Sequence, residues 1–448
     1  MPPPTRGERA AWALFDFANS AFPTVVITFV YSAFFAKVLA GDATTGTTRG
    51  AELWSLSQTV CGVGVAVAAP ILGALVDQRR GRKKTWSFWL SAVTVGCTIA
   101  LAWPAVDPTV GAATESALWA AWGLVTVANI AFELMFVIYN AFLPGLGDQK
   151  TVGRLSGIGW AFGYVGGLLC LAIGLGMVGV DGFGPWVTEA GDWNVRATNL
   201  LVAAWFALFS VPFFVMVRDR GGPVSGIGSA RLVDSVREVG HTIRSLRHYP
   251  DLTRLLAARL FYNDALIAIF GLAAIYMTGT LGMEIGDAML VGIWLNIVSA
   301  LGAVAFGYVD DKIGSKVAIV WSVVLVTAGT VLAIALPTPG WFWVAATIAG
   351  IGLGPSQSAS RSLLARFVSP ARSGEFYGLF ALTGKATTWA GPLLFFVVTS
   401  ATGSQRWGLT PLVAMLGIGL VLVVRVDERR GIERAREDRP ADGAVGDA

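Results

Sequence analysis

Long apolar runs constrain the fold of this 448-residue chain more than any other feature. About a dozen runs are close to 20 residues long, the length that an α-helix needs to cross the hydrocarbon core of a bilayer. Only 14% of the residues are charged, against roughly 25% in soluble domains. The runs also lack the polar–apolar alternation over about 10 residues that marks outer-membrane strands. The pattern predicts an all-α polytopic membrane protein and excludes a soluble enzyme, a disordered chain and an outer-membrane barrel.

Charges, glycines and prolines divide the chain into twelve predicted spans. The spans cover residues 14–39, 53–76, 85–106, 117–142, 156–180, 197–217, 255–281, 287–310, 316–336, 341–366, 374–400 and 408–427. The longest connection, residues 218–254, separates six spans from six. We therefore predict an N-terminal six-helix bundle over residues 1–217 and a C-terminal one over residues 255–427. The charged, Gly- and Ala-rich composition of residues 428–448 predicts a disordered cytoplasmic tail.

The connection over residues 218–254 contains a predicted amphipathic helix. Its apolar residues recur at steps of four and three, and they are Leu232, Val236, Val239, Ile243 and Leu246. Arginines occupy the surface between them. This pattern favours a basic helix that lies on the inner leaflet or beneath the bundles. A plain linker helix without a partner is the alternative.

Lysine and arginine positions predict the orientation in the membrane. Of the 33 such residues, the ones on the side opposite to the termini are Lys37, Arg49, Arg196 and Arg406. Two more fall within spans, and the remainder lie on the termini side. Because cytoplasmic loops are enriched in Lys and Arg, both termini are predicted to be cytoplasmic. The same bias accounts for the net charge of +4, so we expect a lipid bilayer and no nucleic acid among the partners.

The cysteines and histidines predict no metal site. Cys61, Cys97 and Cys170 all lie inside apolar runs, where small buried side chains are expected. His241 and His248 lie in a charged loop. There is no HExxH motif and no cluster with metal-ligand spacing. We expect no metal, no disulfide framework and no cofactor.

A glycine-rich segment in span 11 imitates a nucleotide-binding loop. Five residues separate Gly378 from Gly384 where a P-loop has four. Ala386 follows Lys385 at the position where a Ser or Thr would hold Mg²⁺. The segment therefore predicts no nucleotide binding, and an ATP-driven pump is not expected.

A loop that occurs once in each half relates the two bundles. The copy after span 2 runs through Gly73, Asp77, Gly81 and Arg82, and the copy after span 8 runs through Gly307, Asp311, Gly314 and Lys316. The first Gly permits close helix contact, the Asp is suited to a neighbouring helix N-terminus, and the second Gly permits positive φ. The bases are expected at the headgroups. Two copies in register resemble the gating loops of the major facilitator superfamily, although the first copy has one extra residue before its second Gly.

Four polar stretches carry a narrower resemblance. They are residues 12–22 (WALFDFANSAF), 153–164 (GRLSGIGWAFGY), 259–264 (RLFYND) and 360–366 (SRSLLAR). They resemble the vacuole-effluxer-like family of major facilitators, which includes the fungal autophagy-related amino-acid effluxer. The resemblance implies twelve helices in two pseudo-symmetric six-helix bundles, related as parallel repeats, and amino-acid export. The short loops are similar to those of compact bacterial members, which implies a bacterial plasma membrane.

Span 4 carries a polar stripe. Asn129, Glu133 and Asn140 fall within about 40° of one another at 100° per residue. A carboxyl group in an apolar cavity can load and release a proton, so Glu133 is the leading candidate for proton coupling. Lys385 lies mid-span in the other half and suits either a substrate carboxylate or Glu133 itself. A permanent structural ion pair is the alternative role for both residues.

Spans 1 and 7 carry further candidates near their cytoplasmic starts. Asp16 and Asn19 share a face of span 1, where Asp16 suits substrate contact, a helix cap or a gate. Asn263 shares a face of span 7 with Arg259, whose guanidinium either faces the interior or reaches the headgroups. Asp264, offset by about 140° from Arg259 at 100° per residue, is the second candidate for proton coupling. Tyr164 and Gln357 are weaker candidates for substrate contact.

These observations predict a monomeric secondary transporter that moves a small polar solute by alternating access. The substrate is expected to be an amino acid, with export favoured and protons as co-substrate. An exporter of lipophilic drugs is an alternative, as is a membrane receptor or scaffold that does not transport. A membrane-embedded enzyme is disfavoured because no histidine lies within a span.

Overall fold

Twelve segments among the described residues form helical spans. A computed structural model describes residues 3–41, 48–77, 82–107, 111–179, 184–220 and 246–437, with the isolated residues 240 and 244. Spans 1–6 are Arg6–Leu39, Arg49–Asp77, Arg82–Ala100, Glu115–Asn140, Val152–Val178 and Trp193–Met216. Spans 7–12 are Pro250–Gly279, Ile285–Ile313, Ser315–Ala335, Pro339–Phe367, Ser373–Thr402 and Thr410–Val424. The predicted all-α membrane fold with twelve spans is confirmed.

Nine helices in the described ranges are long and apolar enough to cross a membrane by length and composition alone. The three other spans are less apolar or are broken. Span 3 begins with three consecutive bases, span 10 contains Arg361 and Arg366, and span 11 is two helices of 13 residues each. Short helices lie at Leu143–Leu146, Ala190–Asp192, Leu246–His248 and Gln405–Gly408, and strands Val106–Asp107 and Ala112–Ala113 form an antiparallel hairpin.

Span 1 is irregular along its length. Thr5 caps its first helix, Arg6–Asn19, in a capping box with Glu8, so two of the orphan N–H groups are satisfied. Beyond this helix lie two π-helical stretches, Phe22–Phe29 and Phe35–Leu39, around the short helix Tyr31–Phe34. Such π-helical turns occur frequently at functional sites.

Span 11 is not the single helix that the sequence predicted. Its first helix ends at Lys385, and its second begins at Ala390. Pro392 has no N–H to donate to the Thr388 carbonyl oxygen. The Lys385 carbonyl oxygen, at the end of the first helix, accepts from Thr388 Oγ1 at 3.1 Å. Thr387 Oγ1 donates to the carbonyl oxygen of Leu260 on span 7. These substitutes for helical hydrogen bonds allow the break to lie inside the bundle.

The prediction of a disordered tail is wrong for residues 428–437, which form the helix Glu428–Glu437. Glu428 accepts from the backbone N–H groups of Ser315 and Lys316 at 3.1 and 3.0 Å, at the start of span 9. The tail helix is therefore ordered by a carboxylate on a helix N-terminus. Residues 438–448 and most of the predicted amphipathic helix lie outside the described residues.

Both ends of the described chain lie at one face of the bundles, here named the termini face. Glu8 pairs with Arg220 at 2.8 Å, which joins the start of span 1 to the end of span 6. Asp251 pairs with Arg430 at 2.6 Å, which joins the start of span 7 to the tail helix. Two large apolar clusters fill the interior, one mostly from spans 1–6 and one mostly from spans 7–12. Cys61 and Cys170 are buried in them as free thiols, and Cys97 is half-buried.

Candidate functional site

A cavity of about 600 Å³ lies between the two halves. The predicted site residues that line it are Glu133, Asn140, Tyr164, Asn263, Gln357 and Lys385. Much of the remaining wall is apolar, with Phe136, Leu266, Ile267, Phe270 and Phe380 among its members. Ligand sites in proteins combine such an apolar wall with a few oriented polar groups. The cavity is therefore the candidate substrate site.

Glu133 and Lys385 meet across the cavity. The Lys385 ammonium donates to Glu133 Oε1 at 2.8 Å, and the side chains are 29% and 23% exposed respectively. The pair joins span 4 to span 11 and is separated by 252 positions in sequence. Lys385 is also the last residue of its helix, where the negative end of the helix dipole favours a cation.

Side chains of spans 7 and 10 form a polar cluster on the part of the cavity wall that belongs to the C-terminal bundle. Gln357 Nε2 donates to Asn263 Oδ1 at 2.9 Å, and Arg259 Nη1 donates to Gln357 Oε1 at 3.4 Å. The Arg259 guanidinium lies 3.7 Å from the centre of the Phe380 ring. Arg259 is only 8% exposed, so the interpretation that it reaches the headgroups is wrong. Its helix begins nine residues earlier, at Pro250, so Arg259 lies about 14 Å along the helix from that end.

Arg361 on span 10 is a third cation on the cavity wall, and no role was predicted for it from the sequence. Its guanidinium donates to Asp16 Oδ2 at 3.2 Å, Asn140 Oδ1 at 3.0 Å and the Ser156 carbonyl oxygen at 2.7 Å. It also stacks 4.8 Å from the Trp12 ring. Arg361 lies five residues from the end of its predicted span, which concealed it as a boundary residue. The sequence feature that indicates a buried polar network here is a run of serines in span 10, at positions 356, 358, 360 and 362. Hydroxyl groups within a span commonly form hydrogen bonds between helices.

Several predicted residues lie away from the cavity wall. Asp16 is buried against Arg361, and Asn19 donates to the Phe15 carbonyl oxygen at 2.7 Å. Asn129 donates to Gln58 Oε1 at 3.0 Å. Asn19 and Asn129 therefore make local hydrogen bonds and are not among the residues that line the cavity.

Asp264 also lies off the cavity, at the break in span 11. Its Oδ2 accepts from the Gly391 N–H at 3.1 Å, at the start of the second helix of that span. Its Oδ1 is buried and has no hydrogen-bond partner in the described structure. The side chain is 1% exposed. One helical step, about 100°, turns it from the cavity face that Asn263 occupies toward the neighbouring helix.

The two repeated loops hold the halves together at the termini face. Asp77 accepts from the Gly374 and Glu375 N–H groups at 3.1 and 2.8 Å, at the start of span 11. Asp311 accepts from the Gly153 and Arg154 N–H groups at 2.8 and 3.1 Å, at the start of span 5. Each carboxylate thus binds the helix N-terminus of the opposite half, as the sequence predicted from the helix dipole.

The glycines of the loops permit these contacts. A Cβ atom added at Gly73 would overlap the backbone of Gly374, and one added at Gly307 would lie 3.1 Å from Arg154 Cα. Gly314 has φ of +123° and ends span 8. Gly81 lies outside the described residues.

Lys83, a base of the first loop, does not reach the headgroups. Lys83, next to Arg82, is 2% exposed and lies 2.8 Å from Asp77 Oδ1. It also donates to the Pro370 carbonyl oxygen at 2.8 Å, so it is a buried part of the contact between halves. Arg82 Nη1 donates to the Leu75 carbonyl oxygen at 3.2 Å, and Lys316 follows Gly314 at the start of span 9.

Residues 55–436 match the family described as Vacuole effluxer Atg22 like. The chain belongs to this family. It is 26% identical over 432 residues to the uncharacterized MFS-type transporter YxiO of Bacillus subtilis (strain 168), covering 95% of this chain and 96% of YxiO. It is 25% identical over 330 residues to Autophagy-related protein 22-1 of Aspergillus niger, covering 66% of this chain and 53% of that protein. The Atg22-like chain therefore spans about half the length of its fungal relatives.

Solved structures show the same fold at low identity. The human organic anion transporter MFSD10 (TETRAN) has a TM-score of 0.72 at 12% identity, covering 94% of this chain and 100% of MFSD10. The proton:xylose symporter XylE has a TM-score of 0.70 at 14% identity, covering 96% of this chain and 98% of XylE. This Atg22-like protein thus has the major facilitator fold. Family and fold are those of secondary transporters of small molecules, not of enzymes.

Proposed function

We propose that this transporter exports amino acids, or similar small solutes with a carboxylate, by proton-coupled alternating access. The observation that carries the proposal is the Glu133–Lys385 ion pair, which joins the two halves within the cavity at 2.8 Å. A proton that binds Glu133, or a substrate that binds either partner, weakens the contact between the halves. The relative free energies of the two conformations of the transporter then depend on whether the cavity is occupied, as alternating access requires.

Glu133 is the proposed proton site within this pair. Protonation of its carboxylate removes the charge that faces the Lys385 ammonium, and the freed ammonium is then available to a solute. Asp264 is the second proposed proton site. It is 1% exposed, and Gly391 N–H is its hydrogen-bond donor in the described structure. Its Oδ1 atom is buried and accepts no hydrogen bond from the described residues, so a proton on this group removes a buried charge that has little stabilisation.

The repeated loops are the proposed gate. Asp77 and Asp311 hold the starts of spans 11 and 5, and Arg361 joins span 10 to Asp16 on span 1. The described residues form several hydrogen bonds between the two halves. These hydrogen bonds lie in the region between the Glu133–Lys385 pair and the termini face. Release of these contacts is the proposed step that opens the cavity at that face.

The proposed location is a bacterial plasma membrane with both termini in the cytoplasm. It is supported by the concentration of Lys and Arg on the termini side. An impermeant maleimide applied to intact cells tests it on single-cysteine variants lacking Cys61, Cys97 and Cys170. Asp287→Cys, at the exposed start of span 8, is expected to react. Glu433→Cys, on the tail helix, is expected to react only after the cells are lysed.

A lipophilic solute is a second candidate substrate, because the cavity wall is rich in Phe, Leu and Ile side chains. The two candidates differ at Lys385. Transport of a lipophilic solute is expected to tolerate Lys385→Ala, whereas transport of an amino acid is not. The same apolar wall also suits the side chains of leucine, isoleucine or phenylalanine.

The deciding experiment is flux from proteoliposomes loaded with a mixed amino-acid pool, with and without an imposed pH gradient. We expect gradient-dependent loss of particular amino acids in the wild-type protein and in Glu115→Gln. Glu115 lies on the same span as Glu133, and its side chain is 65% exposed. Glu133→Gln is expected to abolish the gradient dependence. Flux of folded protein no greater than that of empty liposomes would contradict the amino-acid proposal.

A further inference from the structure

Arg259 is a buried cation without a carboxylate partner in the described part of the chain. It is 8% exposed, and none of the ion pairs there includes it. Its Nε atom is buried and has no hydrogen-bond acceptor, and Nη1 has only the Gln357 oxygen at 3.4 Å. A guanidinium has five N–H donors in a fixed fork. Tyr262 is a further polar neighbour of the guanidinium, and the Nε donor is left without an acceptor among the described residues.

The charges on the cavity wall do not balance. Among the described lining residues, Lys385 is matched by Glu133, and Arg361 is matched by Asp16 behind the wall. Arg259 is left as one uncompensated positive charge. A buried charge without a partner is costly, and an anion brought by the solute removes that cost.

Donors of Arg259 and Asn263 lie close to one point beside Gly384, a residue of the cavity wall. A Cβ atom added at Gly384 would lie 3.5 Å from Arg259 Nη2 and 3.8 Å from Asn263 Nδ2. The Asn263 amide is oriented by Gln357, whose Nε2 donates to Asn263 Oδ1. That hydrogen bond uses the amide oxygen and leaves the Asn263 NH₂ group near Gly384. Because Gly384 has no side chain, no Cβ atom occupies the point near both donors.

We propose that Arg259 and Asn263 bind the carboxylate of the transported solute above Gly384, with the Phe380 ring behind the guanidinium. This inference rests on the proposed transport of carboxylate-bearing solutes. It assigns the carboxylate to Arg259 in place of Lys385, whose ammonium is engaged by Glu133. Glu133 is the one acidic side chain among the described lining residues, so an α-ammonium group competes with Lys385 for it. The carboxylate is the group that the site requires, and the ammonium is secondary.

Binding to the purified full-length protein tests this inference without relying on flux. The probes are leucine, 4-methylpentanoate, which lacks the ammonium, and 3-methylbutylamine, which lacks the carboxylate. We expect leucine and 4-methylpentanoate to bind the wild type, and 3-methylbutylamine to bind much more weakly. Equilibrium dialysis of radiolabelled probes gives the affinities. Loss of charged hydrogen bonds in Arg259→Gln is expected to weaken both carboxylate probes on the order of 10- to 100-fold.

Two variants keep the test decisive if Arg259→Gln does not fold. Arg259→Lys keeps the charge without the fork and is expected to bind with intermediate affinity. Gly384→Ala keeps every charge, places a methyl group beside both donors and is expected to weaken the carboxylate probes. The matched control is Arg254→Gln, which removes the same charge from the same helix at a side chain 40% exposed near the termini face. It is expected to bind as the wild type does.

The possible outcomes separate this inference from the proposed function. Carboxylate probes that bind Arg259→Gln or Gly384→Ala as tightly as the wild type would overturn the inference, even if leucine is transported. Equal binding of 3-methylbutylamine and 4-methylpentanoate would also overturn it, as would no binding of either carboxylate probe to the wild type. Binding of 4-methylpentanoate through Arg259 without binding of leucine supports the inference and contradicts the amino-acid proposal.

Discussion

Glu133 on span 4 and Lys385 on span 11 form a 2.8 Å ion pair that joins the two six-helix halves of this transporter inside its cavity. Lys385 is the last residue before the break in span 11, and Glu133 lies seven residues before the end of its helix at Asn140. Neither side chain is fully buried, so water and solute have access to the pair. The contact is therefore both a structural link and a group that a substrate can disrupt.

Single and double neutralisation of this pair are expected to differ. Loss of one partner costs about 3–5 kcal/mol for a fully buried pair and about 1 kcal/mol or less for an exposed one. Because this pair is partly exposed, we expect Glu133→Gln and Lys385→Met each to lower stability by about 1–3 kcal/mol. The double variant is expected to recover most of that loss, because no charge is left alone.

Thermal unfolding of the purified variants measures this effect. Arg49→Gln is the control, since it breaks an ion pair with Glu115 whose side chains are 45% and 65% exposed. We expect it to leave the melting temperature unchanged. Additive losses in the double variant would show that the two side chains act independently.

Asp311→Asn is expected to weaken closure at the termini face. The substitution removes the charge that faces the Gly153 and Arg154 N–H groups, where a carboxylate is favoured by the helix dipole by about 0.3–2 kcal/mol. A cysteine at Ser358, which is 2% exposed, reports closure by its rate of reaction with maleimide. We expect several-fold faster labelling in Asp311→Asn. Asp287→Asn, in the first turn of the same helix, is expected to label at the parent rate, and equal rates in both variants would contradict the gate.

Gly73→Ala and Gly62→Ala form a matched pair on span 2. A Cβ atom at Gly73 would overlap the Gly374 backbone, whereas one at Gly62 would have no atom within 4 Å. We expect Gly73→Ala to lower the melting temperature and to speed labelling at the Ser358 position. Gly62→Ala is expected to be neutral or slightly stabilising, since Ala is favoured over Gly in helices by about 1 kcal/mol. Similar melting temperatures for the two variants would refute the close-contact argument.

Arg361→Lys is expected to abolish transport and to destabilise the protein, although the substitution keeps the positive charge. The guanidinium contacts Asp16, Asn140 and Ser156 at once through its fork, and a lysine ammonium cannot reproduce that geometry. Flux assays and thermal unfolding measure the two effects. Arg434→Lys, at a side chain 51% exposed on the tail helix, is the control and is expected to behave as the wild type. Wild-type transport by Arg361→Lys would show that the network needs only a positive charge.

Much of the architecture could be predicted from the sequence because its causes are local. A helix in lipid satisfies its own backbone hydrogen bonds, so apolar runs of sufficient length mark the spans. The break in span 11 was missed, although Pro392 and the threonines before it were visible, because the mostly apolar run over residues 374–400 is long enough for one span. The order of residues 428–437 was missed because it depends on Glu428 reaching the distant N-terminus of span 9.

The sequence by itself determined the twelve spans, the repeated loops and the set of polar residues buried in the membrane, because hydropathy and helix capping act over a few residues. Only the tertiary structure decided which of those polar residues meet. Arg361 pairs with Asp16 across 345 positions, and Asp264 is turned from the cavity that its neighbour Asn263 lines. Such encounters depend on helix rotation and on how the two halves pack, and a single step along a helix turns a side chain by about 100°. Arg259 was therefore predicted as a polar residue in a span, and its place beside the cavity came from the fold.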